Sequence, residues 1–203
     1  MVNGPRSDAI TVPDPYGKLR FWRNTSVATL PTGQVATFPG TLGYEWDEAP
    51  DNGFSPAGLV KLSSTTLSVS TYLLDYGSSY GVGTATHSLT LYKHSSGSIV
   101  FGAGSIEWSY GLAGTVQDTR LQQATVNLFA DMQVQPGSLQ PGLVAASPSS
   151  DSTAPTSQIT SPANGATIGG GSTVLIVGTA SDLGGGVVGG VEVSTDGGVT
   201  WFF

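Results

Sequence analysis

From Ala146 to Pro155 the chain reads Ala-Ser-Pro-Ser-Ser-Asp-Ser-Thr-Ala-Pro. A run of Ser, Pro, Ala and Thr without an apolar period has no face to bury, so it reads as a linker. It divides the 203 residues into residues 1–145, the size of one ordinary domain, and residues 156–203. Both parts are broken at short intervals by turn residues. With 29 Gly and only 10% charged residues, the composition is that of many short strands with a hydroxyl-rich surface, not of a disordered chain.

Charge and cysteine content narrow the partners. The net charge is −7 and the chain holds 7 Lys and Arg together, which leaves no basic face to neutralise phosphates. Nucleic acid and anionic membrane are therefore not expected as partners. With Cys 0, disulfides, thiolate metal sites and cysteine nucleophiles are all excluded. No apolar run approaches the ~20 residues of a membrane helix. The first residues have neither a basic nor an apolar signal region, while low charge and Ser/Thr/Gly richness favour an extracellular setting, with any signal expected upstream.

Along the chain, Met1–Pro15 carries Gly4, Pro5, Pro13 and Pro15 and is expected to be irregular. Leu19–Asn24 suits a strand or a short helical turn, with Arg20 and Arg23 stacking on Trp22 or pairing with the carboxylates of Glu45–Asp51. Thr37–Trp46, Gly58–Ser63 and Thr66–Ser70 read as strands. Ala85–Lys93 alternates with period two, and a Ser95–Gly97 turn returns it into Ser98–Phe101 as a hairpin. The spacing predicts a helix over Arg120–Val134, with Thr119 and Gln122 as a capping box and Leu121, Thr125, Leu128, Phe129 and Met132 on one face. A strand, a glycine loop and a helix in this order suggest the last βα unit of an α/β sheet. Beyond the linker, Ser157–Thr160, Thr173–Thr179 and Gly190–Ser194 have the spacing of sandwich strands. They make up about 50 residues of a fold that usually takes ≈ 100.

The chemistry-bearing stretch is Gly40–Asp51, Gly-Thr-Leu-Gly-Tyr-Glu-Trp-Asp-Glu-Ala-Pro-Asp. A carboxylate between two aromatics is partly desolvated, which makes Glu45 a candidate acid or base. Strand alternation alone instead turns Glu45 into water, away from Tyr44 and Trp46. His87 and His94 are the only histidines. His87, on a strand, is the candidate for the edge of a cleft, whereas His94 lies beside a turn. Gly77-Ser78-Ser79-Tyr80-Gly81 has the letters of a nucleophile elbow, but no helix follows it and no later histidine completes a triad, so it reads as a glycine loop. Asp47, Glu48, Asp51 and Asn52 lack the spacing of a calcium loop, and Gly184–Gly189 is a turn although it spells G-x-G-x-x-G. Trp22, Trp46, Trp108 and Tyr110 offer a different reading, an exposed aromatic platform for sugars or polymer chains in a non-catalytic binding module.

Phe21-Trp22-Arg23-Asn24-Thr25, Gly43-Tyr44-Glu45-Trp46-Asp47, Thr86–Tyr92, Val100–Trp108 and the helix Gln122–Met132 together resemble the C-terminal part of the N,N-dimethylformamidase large-subunit-like family over roughly residues 1–142. The resemblance implies an α/β, glutamine-amidotransferase-like fold, here an incomplete and β-rich sheet, and hydrolysis of the C–N bond of a small formamide. It also implies a mononuclear iron held by two tyrosines and a glutamate in the complete enzymes. Glu45 would take an active-site glutamate position as catalytic residue together with His87, and Trp46, Glu107 and Trp108 would line the substrate cleft. The family's His-Asp-Glu-Tyr-Trp and Ser-Gly-Asn segments are absent from these residues, so no metal ligand is assigned here and no cofactor is expected in this fragment, which should be inactive alone. Residues 156–203 resemble a partial all-β, bacterial Ig-like module. The partners expected are a small amide or polymer substrate, with homo-oligomerisation left open.

Overall fold

A computed structural model describes all residues, Met1–Phe203. Its strands are β1 (Val2–Pro13), β2 (Val35–Trp46), β3 (Val60–Lys61), β4 (Thr65–Leu73), β5 (Tyr80–His87), β6 (Thr90–Lys93), β7 (Ile99–Gly102), β8 (Thr156–Ser161) and β9 (Val177–Ser181), and its α-helices are α1 (Asp14–Gly17) and α2 (Thr119–Asp131). They form three sheets in the orders β2-β1-β4-β5, β3-β6-β7 and β8-β9. Every registered pair is antiparallel. The succession of strand, glycine loop and α2 is thus no parallel βα unit. Residues 1–145 are β-rich with a single long helix.

The irregular start expected for Met1–Pro15 is instead β1, paired along its length with β2. Its prolines are tolerated where the ladder does not need them. Asn3 faces Glu45 and Ser7 faces Gly43, so Pro5 falls in the bulge between these pairs, and Pro13 closes the strand. The run Ala85–Lys93 alternates as expected but serves two sheets, because His87 pairs with Thr65 of β4 whereas Thr90 pairs with Lys61 of β3. The chain turns this corner at Ser88–Leu89, where Leu89 N–H donates to Ser63 Oγ at 2.7 Å and Leu62 N–H to Leu89 O at 2.7 Å. The expected hairpin follows as β6 and β7, closed by His94 N–H on Ser98 O at 2.8 Å.

Helix α2 starts one residue earlier than a Thr119 cap requires. Asp118 is the cap, and its carboxylate accepts from Arg120 N–H at 2.8 Å. Gln122, expected to close a capping box, instead donates to Leu112 O at 2.8 Å. The helix ends at Asp131 and not at Val134, because Gln133 adopts φ 62°. Gln133 N–H then bonds Ala130 O and Val134 N–H bonds Phe129 O, as in a Schellman ending. Leu121, Ala124 and Leu128 enter the core, but Phe129 is 43% exposed. The other covered face is polar: Gln123 exchanges hydrogen bonds with the backbone of Val144, and Asn127 donates to Phe21 O and Arg23 O. The segment before the linker is thereby laid along the helix, and Arg23 extends the anchoring to Ser147 O at 3.0 Å.

Arg20 and Arg23 neither stack on Trp22 nor reach the Glu45–Asp51 carboxylates. Both pair with Asp131 at the end of α2, at 3.0 and 2.9 Å. Trp22 itself is at the centre of the core. It stacks on Phe38 at 5.5 Å, meets Phe21 edge-on at 4.9 Å and donates Nε1–H to Leu62 O at 2.9 Å.

Residues 156–203 contain no buried residue. β8 and β9 pair, and Val193 bridges Phe202, but neither Thr173–Ile176 nor the rest of Gly190–Ser194 finds a ladder partner and becomes strand. Asp196 shapes the turn before Trp201 by accepting from Ser194 Oγ, Val199 N–H and the N–H and hydroxyl of Thr200.

Candidate functional site

The end of β2 is shaped by its neighbour. Gly4, Pro5 and Arg6 of β1 together oppose Tyr44 alone, and this bulge breaks the alternation of a flat strand. Tyr44 is 52% exposed and Glu45 beside it is also exposed, while Trp46 is 1% exposed. Glu45 therefore stands in water, as alternation suggested, and is not sandwiched between the two rings. None of the four ion pairs includes it.

Behind this edge lies a closed polar knot. The chain from β7 enters a 3-10 turn, Ile106–Gly111, capped by Ser105. Ser105 Oγ lies 3.1 and 3.2 Å from the carbonyl oxygens of Thr41 and Gly43, donates to one of them at a time and accepts from Gly43 N–H. Glu107, also buried, accepts from Ser7 Oγ at 2.7 Å. Its carboxylate packs against Gly43, where a Cβ would lie 2.7 Å from Glu107 Oε2 and would overlap Arg6 O. Glu107 thus ties the turn to the β1 bulge and presents no face to a cleft. Trp108 next to it is half-buried, its ring 5.5 Å from that of Phe101. A serine followed two residues later by an acid is a readable cap, but nothing local in the sequence announces Ser7 as the partner.

His87 ends β5 at the corner between the sheets and is 0% exposed. Its Nε2 bonds Ala103 O at 2.8 Å, and since a carbonyl only accepts, Nε2 carries the proton. Nδ1 has no partner, and neither has the buried Nε1–H of Trp46, whose ring meets the imidazole edge-on at 6.0 Å. Gly104, at φ 58°, closes over the imidazole, because a Cβ there would lie 3.2 Å from Nε2. Burial lowers the His87 pKa below 6.5, against the weaker opposing pulls of the Ala103 carbonyl and the Asp47 charge. A histidine with its folded pKa depressed binds fewer protons folded than unfolded. Its contribution is complete above the unfolded pKa near 6.5 and is lost as pH falls below it. The expected result is an unfolding free energy, read from urea transitions, that falls between pH 7.5 and 5.5 with a slope of up to ~1.4 kcal/mol per pH unit below the unfolded pKa, and a His87→Gln chain with a flat profile over that window. A wild-type midpoint that stays constant would contradict the assignment.

The other candidates separate. Glu48 accepts from Tyr72 OH and from Thr86 N–H at 2.8 Å, pinning the loop after β2 to β4 and β5. Asp51 accepts from Phe203 N–H at 3.2 Å. Ser79 is exposed in the turn between β4 and β5, its N–H bound by Asp75, so the Gly77–Gly81 letters mark a turn as expected. His94 is exposed in the β6–β7 turn. The aromatic platform is not formed, because Trp22 and Trp46 are in the core and only Tyr110 of the four, at 53%, is largely exposed. These rings answer the demand for a core in a chain with few long aliphatic strands.

Iron held by two tyrosines and a glutamate would need phenolate and carboxylate oxygens brought together. No three His, Asp or Glu side chains converge, and where a tyrosine does meet a carboxylate, Tyr72 on Glu48, the tyrosine pKa is raised by that hydrogen bond and then by the Glu48 charge. The phenol keeps its proton, the opposite of what a phenolate ligand needs.

Two antiparallel sheets and α2 thus carry an exposed carboxylate on a bulged edge, and the β8-β9 pair follows them. A family model described as N,N-dimethylformamidase beta subunit-like, C-terminal, matches residues 1–123, and a model of a bacterial Ig domain matches residues 155–202. The chain belongs to the N,N-dimethylformamidase beta subunit-like family and carries a bacterial Ig domain behind that region. No curated protein and no solved structure matches it.

Proposed function

We propose that residues 1–145 are the β-rich flank of a glutamine-amidotransferase-like amidohydrolase and that Glu45 is the acid/base group they bring to hydrolysis of a small amide C–N bond. The observation that carries this reading is the exposed carboxylate of Glu45, free of ion pairs, on an edge held by the Ser7–Glu107 hydrogen bond. Membership of a family described as N,N-dimethylformamidase-like supports the reaction class. Glu45 takes a proton from the water that attacks the carbonyl carbon. As the C–N bond breaks, the same carboxyl group returns that proton to the departing nitrogen, leaving an acid and an amine. Trp46, His87 and Glu107 act behind this edge, by holding the strand end that presents Tyr44 and Glu45.

On this reading the metal ligands come from outside these residues. The purified chain, supplied with iron, should release no dimethylamine from N,N-dimethylformamide, and release should appear when the metal-bearing segment of a family member is added. Turnover by the chain alone would overturn the division of labour. We also propose an extracellular setting, from the low charge and the Ig domain. Finding the protein only in the cell lysate of its host, and none in the medium, would contradict that.

A further inference from the structure

We propose that the cleft between residues 1–145 and the Ig domain binds a small organic ammonium ion with an apolar body. The cleft has a volume of about 470 Å³, within the range of ordinary small-molecule sites, and such sites favour domain boundaries. Its walls are apolar on both sides: Leu19, Phe21, Val60 and Leu62 from the first unit, Val187 and Phe203 from the second. Three carboxylates line it, Asp131, Asp182 and Glu192. Asp131 is neutralised by Arg20 and Arg23. The other two are not neutralised by any ion pair.

Asp182 Oδ1 and Glu192 Oε1 are enclosed and have no hydrogen-bond partner, although Glu192 Oε2 accepts from Gly58 N–H at 3.3 Å. Asp182 and Glu192, set among apolar walls without a cationic partner, are complementary to a ligand that brings both positive charge and N–H donors. Arg20 on the rim is committed to Asp131 and Ser147 O. Lys61 lies 4.3 Å from the centre of the Phe203 ring, where its charge is held by the π face and not by a carboxylate. Of the side chains that line the cleft, Asp131, Asp182 and Glu192 are acidic and Arg20 alone is basic. An ammonium group would reach the carboxylates while its hydrocarbon part covers Val187 and the leucines, and the contact area with both units would tie them together.

The test is titration of the full chain with benzylammonium, benzyl alcohol and benzoate, followed by calorimetry and by the melting temperature. Benzylammonium is expected to bind one per chain, at least tenfold more tightly than benzyl alcohol, with no binding of benzoate. The double variant Asp182→Asn, Glu192→Gln should lose that tenfold preference, and Val187→Trp, which fills the cleft, should lose binding of both the ammonium and the alcohol. Equal binding of alcohol and ammonium, no binding at all, or a preference that survives the double variant would overturn the proposal. So would stoichiometric calcium binding that displaces benzylammonium, which would make the carboxylates a metal site. Circular dichroism of the variants separates loss of the site from loss of the fold.

Discussion

Trp22→Ala is expected to remove about 3–5 kcal/mol of stability, a large share of the roughly 5–15 kcal/mol that a folded domain commonly has. Three contributions add. The indole is wholly buried between the stacked ring of Phe38 and the edge of Phe21, so truncation leaves a cavity that two neighbouring rings on different elements cannot both close. The aromatic contacts are lost with it. The Leu62 carbonyl, which accepts from Nε1 at 2.9 Å, is left without that donor at the corner where the chain passes from one sheet to the other. Trp22→Phe should restore much of the packing but not the hydrogen bond, and so fall between. Denaturant unfolding followed by tryptophan-independent circular dichroism measures this. A loss below about 1 kcal/mol for the alanine variant would mean that the ring is peripheral.

Gly43→Ala should cost about 1–3 kcal/mol, although it adds only a methyl group. The new Cβ overlaps the Arg6 carbonyl oxygen and lies 2.7 Å from Glu107 Oε2. The first obstacle is backbone inside a bulge pinned by flanking pairs, and the second is a carboxylate held by Ser7. Neither is the loose end of a flexible side chain. Relief requires β1 to move away from β2, which breaks the Ser7–Glu107 hydrogen bond and releases Tyr44 and Glu45 from their outward setting. The expected result is a lower urea midpoint together with faster amide exchange at Ser7, Gly43 and Glu45. An unchanged midpoint would show that the bulge opens freely.

What the sequence made legible was local. The alternation of β2, the β6–β7 hairpin and α2 follow from periodicities within a dozen residues, and the structure has them within a few residues of the expected bounds. β1 was hidden because Pro5 is harmless only in a bulge, and a bulge exists only in relation to the end of β2, about forty residues on in the chain. Asp131 was hidden in the same way: its partners Arg20 and Arg23 lie more than a hundred positions away. The polar face of α2 misled the choice of buried side, because Gln123 and Asn127 are covered by backbone that they themselves bind. Of the site, the outward Glu45 followed from alternation, whereas its support by Ser7, Ser105 and Glu107 is a matter of three elements meeting.

The central claim is that Glu45 moves the proton in amide hydrolysis. It is tested most directly by the rate of dimethylamine release in the mixture of this chain with the metal-bearing segment of a family member, comparing wild type with Glu45→Gln. The carboxamide has the same shape, and Glu45 is exposed without an ion pair, so the melting temperature should not change. The expected result is a fall in kcat of about 10²–10⁴-fold, the range of a lost acid/base group. An equal rate in the two mixtures would contradict the claim and leave Glu45 a solvated carboxylate on the edge of a strand.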